Sequence, residues 1–434
     1  MCGIVGATGK TNAYLFVLEG LKRLEYRGYD SAGISINHKN KLQVFKKEGK
    51  LGNLVSFLED KNCEGRQAIG HTRWATHGKV NDINAHPHSN GIFSIVHNGI
   101  IENATDLKSF LQKEGVVFQS ETDSEVFLQL LDYCFKKSGD LKASILEAFS
   151  KIEGNSAFVI QYINSDNIWA LKKSAPLVCG TDSKNEGLFL SSDPYALVGS
   201  VDTLYFPEDN VLCFLDAKSR KIEFFEVDGT PSKRYLTQKP SLHLDVSTKG
   251  NFEHYMLKEI YEQPELILKM ANYYFEGEGK NKLSSFAQKN IENIIITACG
   301  TAWHAGLLFK YYVPHFSKTR TQIELASEFR YQKYFFKENE IGLMISQSGE
   351  TADTLACQEL CHAHHIDTYS IINVEGSTIF RNAKENFPIL AGAEIGVAST
   401  KAFTLQSLTG LLMAQALGGN KNNEVLHKEF ILLA

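Results

Sequence analysis

The sequence is poor in the residues that mark disulfide-rich, disordered or collagen-like proteins. Its 434 residues include 9 prolines and 8 cysteines, and the cysteines, at positions 2, 63, 134, 179, 213, 299, 357 and 361, form no CxxC pair. This density is too low for a disulfide framework, so we expect reduced thiols. With 33 glycines, 43% hydrophobic and 22% charged residues, the composition is that of an ordinary globular protein.

The sequence also lacks blocks of like charge and long apolar runs. A formal net charge of −5 without basic clusters gives no electrostatic footprint for nucleic acid or an anionic membrane. The longest apolar runs, such as residues 411–417, are too short to span a bilayer. The first ten residues have neither the basic start nor the apolar core of a secretion signal. We therefore expect a cytoplasmic protein whose partners are small molecules or proteins.

The length predicts two or three domains. Residues 1–216 contain short apolar runs separated by turn signals, with helical periodicity at residues 12–24 and 123–135, which is typical of a mixed α+β domain. Residues 217–250 are polar and contain Asp228-Gly229 and Lys239-Pro240, so they predict a final hairpin and a connector. The predicted strands of the first domain are residues 3–6, 33–36, 93–96, 157–162, 188–190 and 211–215.

Residues 251–434 follow a different pattern, in which strands alternate with helices. A helix is predicted over residues 251–274, and strands are predicted at 294–297, 341–345 and 368–372. Helices are expected to begin at residues 302 and 351 and after residue 377. This alternation predicts a doubly wound α/β domain with a parallel sheet, whose ligands bind at the carboxyl ends of the strands.

One segment is rich in the residue types that ligate metals. Positions 357, 361 and 364 of this segment share one face of the helix predicted from residue 351, where buried thiols are ordinary core residues. Zinc ligands usually come from two elements rather than one helix face, so we predict no metal site and no cofactor. The segment contains Cys357, Cys361, His362, His364 and His365.

Cys2 directly follows the initiator methionine. Removal of Met1 would leave a thiol and a free α-amine on one residue, and an amine that titrates near pH 8 can act as the base for its own side chain. Cys2 would then supply both nucleophile and proton acceptor. An ordinary strand residue is the alternative.

Three further segments carry groups suited to amide chemistry. Residues 71–78 read as a polar loop that no core needs, in which Arg73 could clamp a carboxylate. Asn98-Gly99 could supply two donors to an oxyanion, although the pair is also common in hairpin turns. Asp123 stands at a helix start, either as its N-cap or as a partner for a substrate ammonium.

Together these segments resemble the glutaminase domain of the class II amidotransferases, which has the αββα fold of amino-terminal-nucleophile enzymes. The resemblance runs through residues 1–6, 23–33, 71–78, 97–103 and 120–123. It implies hydrolysis of L-glutamine, with Cys2 as the nucleophile and Asn98 and Gly99 as the oxyanion hole. The residues implied to hold glutamine are Arg73, Thr76, His77 and Asp123, with Trp74 gating the passage of ammonia.

The segment from Ser346 to Thr351 links a predicted strand to a helix through hydroxyls, an amide and a glycine. Such a segment can cradle a phosphate with backbone N–H groups, or simply cap the helix. The strand before it in the chain ends near Thr301, so two such loops could face one ligand.

This second region resembles the sugar-isomerase (SIS) domain, and the whole chain resembles the glutamine:fructose-6-phosphate aminotransferase family. Residues 252–264, 326–330 and 394–403 carry the resemblance further. At Ala302 many members have serine, so one hydroxyl contact is missing here. The residues implied to bind fructose 6-phosphate are Thr301, Ala302, Ser346, Gln347, Ser348, Thr351 and Val397.

The family carries a second SIS domain and a carboxyl-terminal tail that supplies the isomerisation base, and we expect both to be absent from this sequence. His304 and Lys401 are more simply a helix residue and a structural residue than substitutes for that base. Three functions follow as alternatives: formation of glucosamine 6-phosphate, glutamine hydrolysis alone, and a non-catalytic sugar-phosphate sensor. A sensor has no use for a thiol at position 2. We also expect a homodimer.

Overall fold

The computed structural model describes residues 2–9, 12–25, 28–74, 78–182, 184, 187–240, 249–419 and 423–434. The chain divides into two compact units, Met1–Leu244 and Asp245–Ala434. None of the helices in this described part of the chain has the length and apolar character needed to cross a bilayer.

The described residues of the first unit form an eight-stranded and a six-stranded antiparallel sheet. The strands are β1 Gly3–Thr8, β2 Ser31–Asn37, β3 Leu42–Glu48, β4 Gln67–Arg73, β5 His88–Ser89, β6 Phe93–Gly99, β7 Ser156–Tyr162, β8 Ile168–Lys173, β9 Val178–Thr181, β10 Leu188–Ser191, β11 Thr203–Pro207, β12 Leu212–Asp216, β13 Lys221–Phe225 and β14 Tyr235–Gln238. Their orders are β14-β11-β9-β10-β1-β4-β2-β3 and β13-β12-β8-β7-β6-β5.

The buried side chains of this unit show four layers. Ile4 and Val96, from different sheets, belong to one apolar cluster, so the two sheets pack face to face. Val17 and Phe127 lie in two further clusters, in which helices cover the outer face of each sheet. The unit is therefore an αββα sandwich, as predicted. Its helices are α1 Ala13–Leu24, α2 Leu51–Leu58, α3 Ala104–Lys113, α4 Asp123–Ser138 and α5 Leu141–Ser150.

The second unit is a five-stranded parallel sheet, with the order β16-β15-β17-β18-β19 among the residues described. Its strands are β15 Asn293–Ala298, β16 Arg320–Leu325, β17 Glu340–Ser346, β18 Thr368–Ile372 and β19 Glu385–Pro388. The helices are α6 Tyr255–Ala271, α7 Glu278–Ala287, α8 Gly300–Phe316, α9 Ala326–Phe329, α10 Ala352–Ala363, α11 Thr378–Asn382, α12 Lys401–Leu417 and α13 Asn423–Leu433.

Alternation along the central strand explains why this sheet is covered on both faces. Ile294 and Ile296 of β15 pack with α8 and α12, whereas Ile295 packs with Cys357 of α10. From β15 the chain builds outwards in one direction to β16 and in the other to β17, so the order reverses between β15 and β17. The predicted doubly wound sheet is confirmed, and ligands of such sheets bind at this reversal point.

Several elements differ from the sequence-based predictions. Three helices of the first unit, α2, α3 and α5, were not predicted. In α3, Ala104, Leu107 and Leu111 share one helix face and pack on the core, a helical pattern that the sequence analysis missed. The helix predicted over residues 251–274 begins at Tyr255 and ends in a π-helical turn, Asn272–Glu276. The helix predicted after residue 377 has only five residues.

Candidate active site

Cys2 lies immediately before β1, where the peptide of Trp74 holds its thiol. The Trp74 N–H donates to Cys2 Sγ at 3.3 Å, and the thiol faces the Trp74 carbonyl oxygen at 3.6 Å. The contact follows from the strand register. Gly3 of β1 pairs with Thr72 of β4, so Cys2 and Trp74, just beyond this pair, lie at the same end of the two strands. Burial raises the pKa of the Cys2 thiol, so attack by this sulfur requires a base.

Asn98 and Gly99 end β6 in the other sheet, and the Asn98 side chain contacts Cys2. The Asn98 Nδ2 group donates to the Cys2 carbonyl oxygen at 3.1 Å. Gly99 has a φ of +134°, and a Cβ at this position would lie 2.0 Å from the Asn155 oxygen, so only glycine fits. Both residues pair with β7, and the hairpin-turn interpretation of Asn98-Gly99 is therefore wrong.

Arg73 is the last residue of β4 and is only 5% exposed. Burial lowers the pKa of its guanidinium, while the charges of Cys2, Asp123 and Asp30 oppose this shift. A buried guanidinium beside the nucleophile can bind a substrate carboxylate through bidentate hydrogen bonds. Residues 71–73 are a buried strand, so the expectation of a polar loop is wrong for this part of the segment 71–78.

Asp123 is the first residue of α4, and its carboxylate is tied to the chain near Asn98. Oδ2 accepts a hydrogen bond from the Ile101 N–H at 2.8 Å. The N-cap of the helix is Thr122, whose hydroxyl accepts from the Glu125 N–H, so the N-cap interpretation of Asp123 is wrong. Arg73 interacts electrostatically with both Cys2 and Asp123, so opposite charges lie in this region, which suits the two charged groups of an α-amino acid.

Trp74 contributes more through its backbone than the sequence indicated. Its indole is 40% exposed and meets Tyr29 edge to face at 5.2 Å. Every residue except proline carries an N–H and a C=O, so the sequence has no signal for their contact with the thiol. Thr76 and His77, predicted to hold glutamine, lie outside the described residues.

Four buried histidines behind Asn98 form a cluster that the sequence analysis missed. The rings of His71 and His86 lie 4.3 Å apart, and those of His86 and His88 lie 4.7 Å apart. His86 Nε2 and His97 Nδ1 both lie 2.8 Å from the Ser124 hydroxyl. Burial lowers the pKa of His71 to about 3 and that of His97 to about 4, so both are neutral near pH 7.

These buried imidazoles predict that the first unit loses stability in mild acid. They stay unprotonated in the folded chain at pH values where the unfolded chain binds protons, so the free energy of unfolding falls as pH drops below 6.5. His71 and His97 each lower the free energy of unfolding by about 1 kcal/mol for every pH unit of acidification between pH 6.5 and about 4. Thermal unfolding followed at pH 7.5, 6.5 and 5.5 measures this slope. An unchanged midpoint would show that the cluster is solvated or charged.

In the second unit, the loops after β15 and β17 flank the reversal point of the sheet. Gly300, the first residue of α8, has a φ of +59°. Thr301 is exposed, whereas Ala302 is 9% exposed and packs in the core. An alanine in this buried place supplies packing and no polar side-chain group.

The segment from Ser346 to Thr351 forms a closed polar turn before α10. The Ser346 hydroxyl accepts from the Gly349 N–H at 2.9 Å and lies 3.3 Å from the Thr351 hydroxyl. The Ser348 hydroxyl accepts from the Glu350 N–H at 3.2 Å. Thr351 is the N-cap residue of α10. Its side chain makes no capping hydrogen bond among the described contacts. Helix capping by Thr351 therefore does not explain this polar sequence.

Val397 is 75% exposed in the loop before α12, and carboxylates hold that loop in place. Glu394 accepts from the N–H groups of Thr400 and Ala402 at 2.9 and 3.1 Å. Lys401 is 3% exposed and its Nζ lies 2.7 Å from Glu262 Oε2, so it is a structural ion pair.

His304 Nδ1 lies 2.9 Å from the Gly300 oxygen, one helical turn earlier.

The cysteine and histidine segment of α10 packs into the core through its two cysteines. Cys357 and Cys361 are fully buried, and burial raises the pKa of both thiols to about 12. His364 follows the helix and is exposed, so it does not share the buried face predicted for it. Within the described residues, no group of three or more His, Cys, Asp or Glu side chains could hold a metal ion.

Comparison with known proteins decides the family. Residues 71–199 match the glutamine amidotransferase domain family and residues 286–416 match the SIS domain family. The glutamine–fructose-6-phosphate aminotransferase [isomerizing] of Clostridium acetobutylicum is 40% identical over 439 residues, covering 99% of this chain and 71% of that protein. The chain belongs to the glutamine–fructose-6-phosphate aminotransferase family.

A second curated relative agrees with this assignment. The protein of the same name from Bacteroides thetaiotaomicron is 40% identical over 97% of this chain and 70% of its own length. A solved structure described as the C-terminal domain of glucosamine-fructose-6-phosphate aminotransferase from Francisella tularensis is 33% identical, with a TM-score of 0.39, over 43% of this chain and 54% of that chain.

Proposed function

We propose that this chain hydrolyses L-glutamine at Cys2 and uses the ammonia to convert fructose 6-phosphate into glucosamine 6-phosphate. The proposed glutamine hydrolysis rests on two contacts of Cys2. Its thiol is held by the Trp74 peptide, and its backbone oxygen accepts from the Asn98 amide. Family membership along almost the whole chain supports the second half.

In the proposed hydrolysis, Cys2 Sγ attacks the side-chain amide carbon of glutamine. The thiol proton passes to the α-amine that Cys2 carries once Met1 is removed, and the amine returns it to the departing nitrogen. Ammonia leaves, and water then cleaves the thioester to release glutamate. Asn98 and Gly99 stabilise the oxyanion in both steps.

The remaining residues have binding roles in this proposal. Arg73 and Asp123 hold the α-carboxylate and α-amine of glutamine, together with Thr76 and His77, while Trp74 limits the escape of ammonia. The loops at the reversal point of the second sheet bind the sugar phosphate through Thr301, Ser346, Gln347, Ser348 and Thr351, with Val397 beside the sugar. The homodimer and the cytoplasmic location stay predictions.

The test supplies glutamine and fructose 6-phosphate to the chain and measures glutamate and glucosamine 6-phosphate together. Near-equal yields support the full proposal. Glutamate without the amino sugar would reduce the function to glutamine hydrolysis, and the absence of both products would overturn the proposal.

Replacing Arg73 by alanine is expected to raise the KM for glutamine roughly 10- to 100-fold and to change kcat much less. The lost charge-assisted bonds act equally in the ground state and the transition state, and such bonds contribute about 1.5–3 kcal/mol. Steady-state glutaminase kinetics separate the two constants. Lys47→Ala, which removes a cation paired with Asp82 at 3.0 Å, is the control. A fall in kcat at constant KM would contradict the binding role.

A further inference from the structure

We infer that His71 is a positioning residue for glutamine hydrolysis: its Nε2–H fixes the Asn98 side chain with the amide nitrogen turned toward Cys2. The inference rests on the proposed glutaminase function and adds to it a residue that contacts neither the nucleophile nor the substrate. It follows from the hydrogen-bonding capacity of the groups around Asn98.

The proton of His71 is assigned by its neighbours. Nε2 lies 3.1 Å from the His97 carbonyl oxygen and 2.9 Å from Asn98 Oδ1. A backbone carbonyl only accepts hydrogen bonds, so Nε2 carries the proton and shares it between the two oxygens. The ring is 1% exposed, and burial lowers the pKa of His71 to about 3, which keeps the other nitrogen unprotonated near neutral pH.

The same reasoning determines the orientation of the Asn98 amide. Its other end faces the Cys2 carbonyl oxygen at 3.1 Å, which again only accepts. A flipped amide would place its NH2 group against the Nε2–H of His71 and its oxygen against the oxygen of Cys2. Both contacts would then be repulsive. The contacts with His71 and with Cys2 therefore favour the same orientation of the Asn98 amide.

This orientation matters because a donor stabilises an oxyanion only when its N–H points at the developing charge. Without His71, the Asn98 amide would keep its bond to Cys2 but lose one of the two contacts that disfavour the flipped state. Ground-state binding of glutamine does not depend on this donor. The loss should therefore appear in kcat rather than in KM.

The test compares His71→Leu with His71→Gln, whose amide nitrogen can donate from nearly the place of Nε2. We expect His71→Leu to lower kcat about 10- to 100-fold with KM within about threefold, and His71→Gln to recover most of the loss. In the double variant with Asn98→Ala, His71→Leu should add less than about threefold, because both changes remove the same donor.

His86→Leu is the matched control, since His86 is equally buried against the His71 ring and bonds Ser124 instead of Asn98. We expect its kcat to stay within about threefold of the unsubstituted chain. Effects of His71→Leu and Asn98→Ala that multiply, or equal losses in His86→Leu and His71→Leu, would overturn the inference and indicate a packing role.

A second measurement does not depend on the folding of any variant. The nitrogen-15 shifts of histidine in the unsubstituted chain should show His71 as the Nε2–H tautomer at pH 7, and an Nδ1–H tautomer would overturn the inference. The proposed function fails separately, if the unsubstituted chain releases no glutamate from glutamine.

Discussion

Cys2→Ala is expected to reduce glutamine hydrolysis by roughly 10⁴-fold or more. The Cys2 sulfur is the only protein atom that forms a covalent bond to the substrate in the proposed mechanism, and loss of this nucleophile removes the covalent route entirely. Glutamate release under saturating glutamine measures the effect. Binding of fructose 6-phosphate should remain, because the loops proposed to bind it belong to the second unit.

Two controls sharpen this experiment. Cys63→Ala removes a buried thiol of the same unit and should leave hydrolysis within about threefold of normal, since a core change of this size acts on stability rather than on chemistry. Intact mass checks that Met1 has been removed from each protein. Glutamine hydrolysis by a chain that retains Met1 would contradict the α-amine as the base, because its nitrogen would then lie in a peptide bond.

Asn98→Ala is expected to lower kcat about 100-fold, equivalent to about 3 kcal/mol, and to leave the KM for glutamine almost unchanged. The variant removes one donor that is already oriented by His71 and Cys2 before the charge develops. Steady-state kinetics on glutamine separate the two constants. Asn103→Ala, at an amide that bonds the backbone carbonyl of Lys151, is the control for losing an asparagine in the same unit. A raised KM with normal kcat would make Asn98 a ground-state binding residue.

The sequence predicted the parallel sheet because its central strands are strongly apolar, whereas the αββα sandwich was implied by the resemblance to the class II amidotransferases. Residues 294–296 and 341–345 form continuous apolar runs, and in the structure they are buried on both faces. The helix α3 was missed although Leu107 and Leu111 give it an apolar face, because it fully buries one residue and packs mainly on α4.

The residues of the candidate site also fall into those that were predicted from the sequence and those that were not. Cys2, Arg73, Asn98 and Asp123 were predicted from residue type and family resemblance, and the structure brings them to the region around Cys2. The Trp74 peptide and His71 were not predicted. A backbone group has no signature in the sequence, and a buried neutral histidine resembles a surface histidine until its hydrogen-bond partners are known.

The position of β1 in the sheet also determines when the nucleophile becomes functional during synthesis. Cys2 is synthesised before every described strand, but β1 lies between β4 and β10, which come later in the chain. The Ile4 N–H donates to the Ser192 hydroxyl, 188 residues later in the chain. Contacts this distant in sequence form slowly and only after most of the unit has been made. On a nascent chain the Cys2 thiol therefore lacks the residues that surround it in the folded unit. The proposed hydrolysis begins only after the first unit has folded.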